Sequence, residues 1–179
     1  SSPYPRGEIN LSPGDVMVIS GGARGVTASA AYALATQVKP TLILLGRSPE
    51  PSPEPAWLAS AEGDAAVKKA ILENEFKGER PSPVQLEKVF KKLMANREVS
   101  GNLERLNATG ATARYYSVDV RDAESVASIL NAVRSEYGPI KGIIHAAGML
   151  EDRLIVDKTP EQFERVFDTK VKGLDALLK

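Results

Sequence analysis

The chain has 179 residues, a length that fits one globular domain. Its 23 basic and 23 acidic side chains balance, so its charge does not indicate a nucleic acid as partner. The absence of cysteine excludes a disulfide framework and thiol chemistry, and we expect a cytoplasmic protein. No apolar run approaches the roughly 18 residues of a membrane helix, and we expect neither a membrane segment nor a signal peptide.

The first structural signal follows a proline- and glycine-rich lead, residues 1–14, which we expect to lie on the surface. An apolar, β-branched run, Val16–Ser20, leads into a glycine-rich turn. A helix-forming tract, Ala28–Val38, and a second apolar run, Thr41–Leu45, come next. This order predicts a β-α-β unit of about 30 residues, the setting of a dinucleotide-binding fingerprint.

The turn itself has the spacing G-x-x-x-G. Glycines permit a tight turn and a close approach to a pyrophosphate, and the N–H groups at the start of the next helix would face the phosphates. The alternative is an ordinary strand-to-helix turn that needs positive φ. The predicted phosphate contacts are Gly21, Gly22, Arg24, Gly25 and Val26.

An arginine stands at the carboxyl end of the second predicted strand, where the adenosine ribose of a bound dinucleotide would lie. An acidic residue there suits NAD, whereas Arg47 suits the additional 2′-phosphate of NADP through a charge-assisted contact. Ser48 adds a hydroxyl donor. The sequence therefore predicts NADPH as cofactor, with a solvated surface arginine as the alternative.

A segment rich in helix formers, at about residues 49–112, separates the second and third strands. It opens with a stiff, proline-rich stretch, residues 49–55. The apolar spacing of Ala66, Ala70 and Ile71 predicts one amphipathic helix. A second helix is predicted from Pro83, with a helical end near residues 103–107. The charged faces of the whole insertion are most simply solvated helix surface, and docking to a neighbouring domain is the alternative.

The third and fourth strands carry further site residues. The run from Tyr115 predicts a strand that ends in an acidic cap, with Asp122 as N-cap of a helix over residues 123–136. Asp119, at the strand tip, could accept a hydrogen bond from the adenine amino group, together with Val120, or could be only a turn carboxylate. The fourth strand, residues 141–148, ends in small residues that would flank a nicotinamide ribose. These are Ala146, Ala147 and Gly148.

Metal chemistry is not expected. His145 is the only histidine, and without a cysteine partner it is more simply a strand-end structural residue than a ligand.

Four motifs occur in a characteristic order: Ser-Gly-Gly-Ala-Arg-Gly-Val at 20–26, Leu-Gly-Arg-Ser at 45–48, Asp-Val-Arg-Asp at 119–122 and His-Ala-Ala-Gly at 145–148. Together they resemble the short-chain dehydrogenase/reductase superfamily. The last motif, and Lys170 before Val-x-Gly, resemble the amino-terminal portion of ketoreductase domains of polyketide and polyunsaturated fatty acid synthases. The resemblance runs from about residue 14 to residue 179, and residues 49 to about 97 lie outside the common pattern.

The resemblance implies an α/β fold: a Rossmann-type parallel sheet with flanking helices, incomplete at the carboxyl end, with a helical insertion between strands 2 and 3. One partial NADP-binding domain would cover residues 15–179.

The implied reaction is hydride transfer from NADPH to a β-ketoacyl group on an acyl carrier protein, which gives a β-hydroxyacyl product. Lys170 would lower the pKa of a catalytic tyrosine. The tyrosine and its serine partner would follow the helix that contains Lys170, so we expect the chain to be inactive alone. Its partners would be the rest of the ketoreductase domain and other synthase domains.

Two further sequence features bear on the chemistry. Tyr137 and Lys141 match the Tyr-x-x-x-Lys spacing of short-chain reductases, but Gly138-Pro139 breaks the helix between them, so we exclude this pair. Leu150-Glu151-Asp152 is similar to the Leu-Asp-Asp of ketoreductases that give the D product. Asp152 therefore predicts D-hydroxyacyl stereochemistry, unless it only caps a turn.

Two other functions remain open. The chain could be a non-catalytic, reductase-like structural module of a synthase. It could also belong to another short-chain dinucleotide enzyme, such as an epimerase or an enoyl reductase.

Overall fold

The computed structural model describes residues 11–21 and 23–145, the side chains of Val26, Thr27 and His145 excepted. Its centre is a four-stranded sheet of β1 (Val16–Ser20), β2 (Thr41–Gly46), β3 (Thr112–Ser117) and β4 (Ile140–His145). The strand order is β3-β2-β1-β4, and every pairing is parallel. The predicted Rossmann-type α/β architecture is confirmed.

The helices of the described chain connect successive strands. Helix α1 (Gly25–Val38) joins β1 to β2, and α4 (Ala123–Tyr137) joins β3 to β4. Between β2 and β3 lie a short 3-10 turn (Ala56–Leu58), α2 (Asp64–Asn74) and α3 (Pro83–Ala108). The predicted helical insertion between strands 2 and 3 is therefore present.

The central strands are buried because both faces of the sheet are covered. All five residues of β1 and the first five of β2 are buried, as expected for apolar runs in a parallel sheet. On one face, α4 packs Val126, Leu130 and Val133 at positions i, i+4 and i+7. They meet a cluster from the strands that includes Val18 and Ile43.

Both ends of α4 follow from local sequence. Asp122 is the N-cap, and its carboxylate accepts a hydrogen bond of 3.2 Å from the backbone N–H of Ser125. The helix ends at Tyr137, because Gly138 adopts a φ of +96° and β4 begins at Ile140. Tyr137 and Lys141 therefore lie on different elements, and the predicted helix break between them is confirmed.

The third strand differs from the prediction. The motif from Tyr115 predicts a strand that reaches the acidic cap, whereas the strand runs from Thr112 to Ser117, so Val118 and Asp119 follow it. The reason is that β3 lies at an edge of the described sheet, and exposed and buried residues alternate along its first four positions. Because exposed Arg114 interrupts the apolar residues, this part of the strand does not form an apolar run in the sequence.

The insertion contains a compact unit of its own. Within the described chain, residues 48–101 form a compact unit separate from the residues before and after them. This unit has a core of Leu58, Ala61, Val67, Ile71 and Phe90. The guanidinium of Arg97 donates to Glu54 and to the carbonyls of Leu58 and Ala61.

The buried face of α2 contains Ile71, as the spacing indicated, but Val67 and not Ala66 lies in the core. Val67 and Ile71 are buried, whereas Ala66 is exposed and Ala70 half-buried. The larger Val67 side chain fills the core position, since burying it removes more apolar area from water.

Among the described helices, none has the length and apolar composition needed to cross a membrane.

Candidate functional site

The carboxyl ends of β1, β2 and β3 meet at one edge of the sheet. Ser20 pairs with Leu45, and Gly46 pairs with Ser117, so the residues that follow these strands are neighbours. The backbone continues this register beyond β1, because the Gly21 N–H donates to the Leu45 carbonyl at 2.7 Å. In open parallel sheets, ligands bind at this edge.

The turn between β1 and α1 requires glycine at two positions. Gly21 has a φ of +84° and Gly25 a φ of +62°, which side chains with a Cβ rarely adopt. A Cβ built on Gly25 would meet no atom within 4 Å, so backbone conformation, and not crowding, favours glycine there.

The first turn of α1 fits an anion. The N-cap residue is Arg24, and its side chain makes no capping hydrogen bond within the part of the chain that the structure describes. The first turn also has no acidic residue that would neutralise the positive end of the helix dipole. A phosphate group placed there would face the positive end of the helix dipole.

A contact from a distant helix fixes the turn. Asn102, on α3, donates its side-chain amide to the carbonyl of Ala23 at 2.8 Å. Ala23 is buried. Sequence reasoning missed Asn102, because no local signal links two residues 79 positions apart.

Two of the predicted site residues meet at the same edge. The Arg47 guanidinium, which directly follows β2, lies 3.6 Å from the Asp119 carboxylate. A third residue, Arg121, holds that carboxylate at 2.8 Å. The exposed fractions of the Arg47, Asp119 and Arg121 side chains are 72%, 35% and 68%.

These contacts set the charge of Asp119. Hydrogen bonds from the side chain and backbone of Arg121 hold the pKa of Asp119 well below its usual range, with a smaller contribution from the charge of Arg47. The pKa of Arg121 is raised in turn by its hydrogen bond to Asp119. Arg121 was also missed, although it stands within the quoted Asp-Val-Arg-Asp motif.

The other predicted residues are distributed as follows. Val120 is partly buried and packs against the sheet core, and half-buried Ser48 is the first residue of the compact unit at residues 48–101. Six predictions lie outside the described residues: Gly22, Ala146, Ala147, Gly148, Asp152 and Lys170. Within the described ranges, no group of three or more His, Cys, Asp and Glu residues could hold a metal ion.

Comparison with known sequences identifies the family. The family model described as "KR domain" matches residues 15–179. The chain is 39% identical over 176 residues to a polyunsaturated fatty acid synthase component of Thraustochytrium sp., with 94% of this chain covered. It spans only 6% of the length of that relative.

Solved structures show the same fold. An N-terminal ketoreductase from the macrolactin assembly line matches 97% of this chain and 26% of its own, with a TM-score of 0.55 and 25% identity. A ketoreductase domain from the bacillaene assembly line matches 95% of this chain and 31% of its own, with a TM-score of 0.50 and 25% identity. The chain therefore belongs to the KR domain family, the ketoreductase domains of polyketide and polyunsaturated fatty acid synthases within the short-chain dehydrogenase/reductase superfamily.

Proposed function

We propose that this chain is the NADPH-binding part of a ketoreductase that reduces a β-ketoacyl group, tethered to an acyl carrier protein, to a D-β-hydroxyacyl group. One observation carries the proposal. The glycine turn after β1, the start of α1 without an acidic residue in its first turn, and Arg47 after β2 lie at the same edge of the sheet. A dinucleotide with a 2′-phosphate needs both features, one for its pyrophosphate and one for its ribose phosphate.

The described residues fit the cofactor. The turn from Gly21 to Gly25 would hold the pyrophosphate, together with the start of α1. Arg47 would bind the 2′-phosphate, with Ser48 as an additional donor, and Asp119 and Val120 would lie at the adenine. Small residues at the end of β4 would border the nicotinamide ribose, as the sequence predicts: Ala146, Ala147 and Gly148.

The bound cofactor supplies the hydride that reduces the ketone. This chain would bind and orient the cofactor, and it would place the positive charge of Lys170 near the catalytic tyrosine. Lys170 would stabilise the deprotonated form of a catalytic tyrosine and so assist proton transfer to the carbonyl oxygen. Asp152 would border the route of the acyl chain and favour one face of the ketone, since a difference of a few kcal/mol between two transition states is enough for high selectivity.

The activity belongs to the complete domain. We assign no residue of this chain as the tyrosine or the serine of the proposed reaction, so the test uses a complete ketoreductase domain that carries these 179 residues. The other synthase domains, including the acyl carrier protein, are its proposed partners.

A structural module without catalysis is the alternative function. Positive-φ glycines would also suit an ordinary strand-to-helix turn, but a structural module does not need a helix start without an acidic residue in its first turn together with Arg47 at the same edge of the sheet. These features support cofactor binding over a purely structural role.

The experiment measures cofactor binding and product formation with a complete domain that carries this chain. Isothermal titration calorimetry gives the Kd for NADPH, and chiral chromatography identifies the hydroxyacyl product. We expect tight NADPH binding and predominantly D product. A domain that binds no nicotinamide dinucleotide would refute the proposal, and L product would refute the assignment of Asp152.

A matched pair of glycine variants tests the turn. Gly25→Ala and Gly63→Ala both place a Cβ at positive φ, and at neither position does the Cβ meet an atom within 4 Å. Gly63 has a φ of 81° and a ψ of 159°, a backbone region that is essentially restricted to glycine, so Gly63→Ala should cost at least as much stability as the roughly 1 kcal/mol expected for Gly25→Ala. Only Gly25→Ala should weaken NADPH binding, and equal binding by the two variants would contradict the proposed site.

A further inference from the structure

The Asp119 carboxylate is almost fully occupied by Arg121. Its Oδ1 accepts from the Arg121 backbone N–H and from Nε, both at 3.0 Å. Its Oδ2 accepts from Nε at 3.2 Å and from Nη2 at 2.8 Å. Arg121 thus binds both oxygens in a two-pronged arrangement, the most specific geometry available to an arginine and a carboxylate.

Arg47 shares one of these oxygens but binds it weakly. Its Nη2 lies 3.6 Å from Oδ2, which is longer than a good charge-assisted hydrogen bond. Because the Arg47 side chain is 72% exposed, this ion pair is well screened by water. A ligand phosphate can therefore replace Asp119 as the partner of Arg47, whereas Arg121 keeps its closer hydrogen bonds to the Asp119 carboxylate.

A carboxylate beside a phosphate site would normally repel the ligand. An aspartate is ionised at physiological pH even at its ordinary pKa, and the hydrogen bonds from Arg121 lower the pKa of Asp119 further. Its negative charge is therefore always present near Arg47. A cation that stays beside the carboxylate reduces the repulsion between Asp119 and an incoming phosphate.

We infer that Arg121 is a specificity-determining residue for the phosphorylated cofactor: by neutralising Asp119, it leaves Arg47 available to a ribose 2′-phosphate. Arg121 acts here through Asp119 and not by contact with the ligand. The inference rests on the proposed function, since it assigns a role to a neighbour of the proposed cofactor site.

The test compares two nucleotides that differ by one phosphate. Calorimetry with the complete domain gives Kd for adenosine 2′,5′-bisphosphate and for adenosine 5′-monophosphate. In Arg121→Ala, we expect binding of the bisphosphate to weaken about three- to tenfold, with the monophosphate nearly unchanged. The difference should shrink at about 0.5 M salt, which screens exposed charges.

A double variant separates indirect from direct action. Removing the uncompensated charge with Asp119→Asn in the Arg121→Ala background should restore most of the preference for the bisphosphate over the monophosphate, since both nucleotides share the adenine that Asp119 would contact. Arg114→Ala is the matched control, because Arg114 is an exposed arginine paired with Glu136 at 4.0 Å. It should leave both Kd values unchanged.

Three results would overturn the inference. Unchanged bisphosphate binding in Arg121→Ala would remove the effect itself, and equal weakening of both nucleotides would indicate a general role in the fold. A double variant as weak as the single one would indicate direct contact between Arg121 and the phosphate. Failure of the unmutated domain to bind either nucleotide would instead refute the proposed function.

Discussion

Replacing Arg47 tests which cofactor the site prefers. Arg47→Ala removes the cation at the carboxyl end of β2 that we assign to the 2′-phosphate. NADPH affinity should fall, and NADH affinity should stay nearly constant, because NADH has no group at that position. The variant should fold normally, since the side chain is 72% exposed and its ion pair to Asp119 is 3.6 Å long.

The size of the effect follows from the exposure of the side chain. A hydrogen bond to a charged group contributes about 1.5–3 kcal/mol where it is well formed. Solvent screening at an exposed arginine brings the value to about 1–1.5 kcal/mol. The expected loss is therefore about five- to twelvefold in the Kd for NADPH.

The assay is a calorimetric titration of both cofactors into the complete domain and its variants. Arg47→Lys should retain part of the affinity, since it keeps the charge but loses the planar, two-pronged geometry. Exposed Arg134, on α4, provides a control position for Arg47→Ala. Equal affinity of the unmutated domain for NADPH and NADH would refute the reasoning, as would an Arg47→Ala variant that loses both cofactors equally.

Three other substitutions test separate parts of the account. Asn102→Asp replaces the amide that supports the glycine turn with a carboxylate that repels the same carbonyl, so Kd should rise about three- to tenfold for NADPH and NADH alike, and an unchanged Kd would contradict a positioning role. Leu130→Ala opens a cavity at a side chain that is 1% exposed and should cost about 2–5 kcal/mol in urea unfolding, whereas Val84→Ala, at 78% exposure, should change stability by less than about 0.5 kcal/mol. Lys170→Met should lower kcat strongly with little change in the Kd for NADPH, and Lys172→Met should be tolerated; similar kinetics of the two variants would show that the lysine is wrongly assigned.

Features that depend on a few neighbouring residues could be read from the sequence. The apolar runs of β1 and β2 predict buried parallel strands, because a central strand has no face toward water. Asp122 predicts the start of α4, since its carboxylate needs only an N–H three residues away. Gly138 and Pro139 predict the end of α4 and so exclude Tyr137 as partner of Lys141. The sequence also placed Arg47 and Asp119 at strand ends, and parallel topology brings such ends to one edge.

The tertiary structure decided what depends on contacts across the fold. The start of β3 at Thr112 is set by pairing with Thr41 on β2, and no apolar run marks it in the sequence. The support of the glycine turn by Asn102 joins residues that only the packing of α3 makes neighbours. The approach of Arg47 to within 3.6 Å of Asp119 follows from the pairing of β2 with β3. Helix caps and apolar strands are determined by residues close together in the sequence. These three features depend instead on the relative placement of separate elements, which is fixed only when the whole sheet and its helices pack.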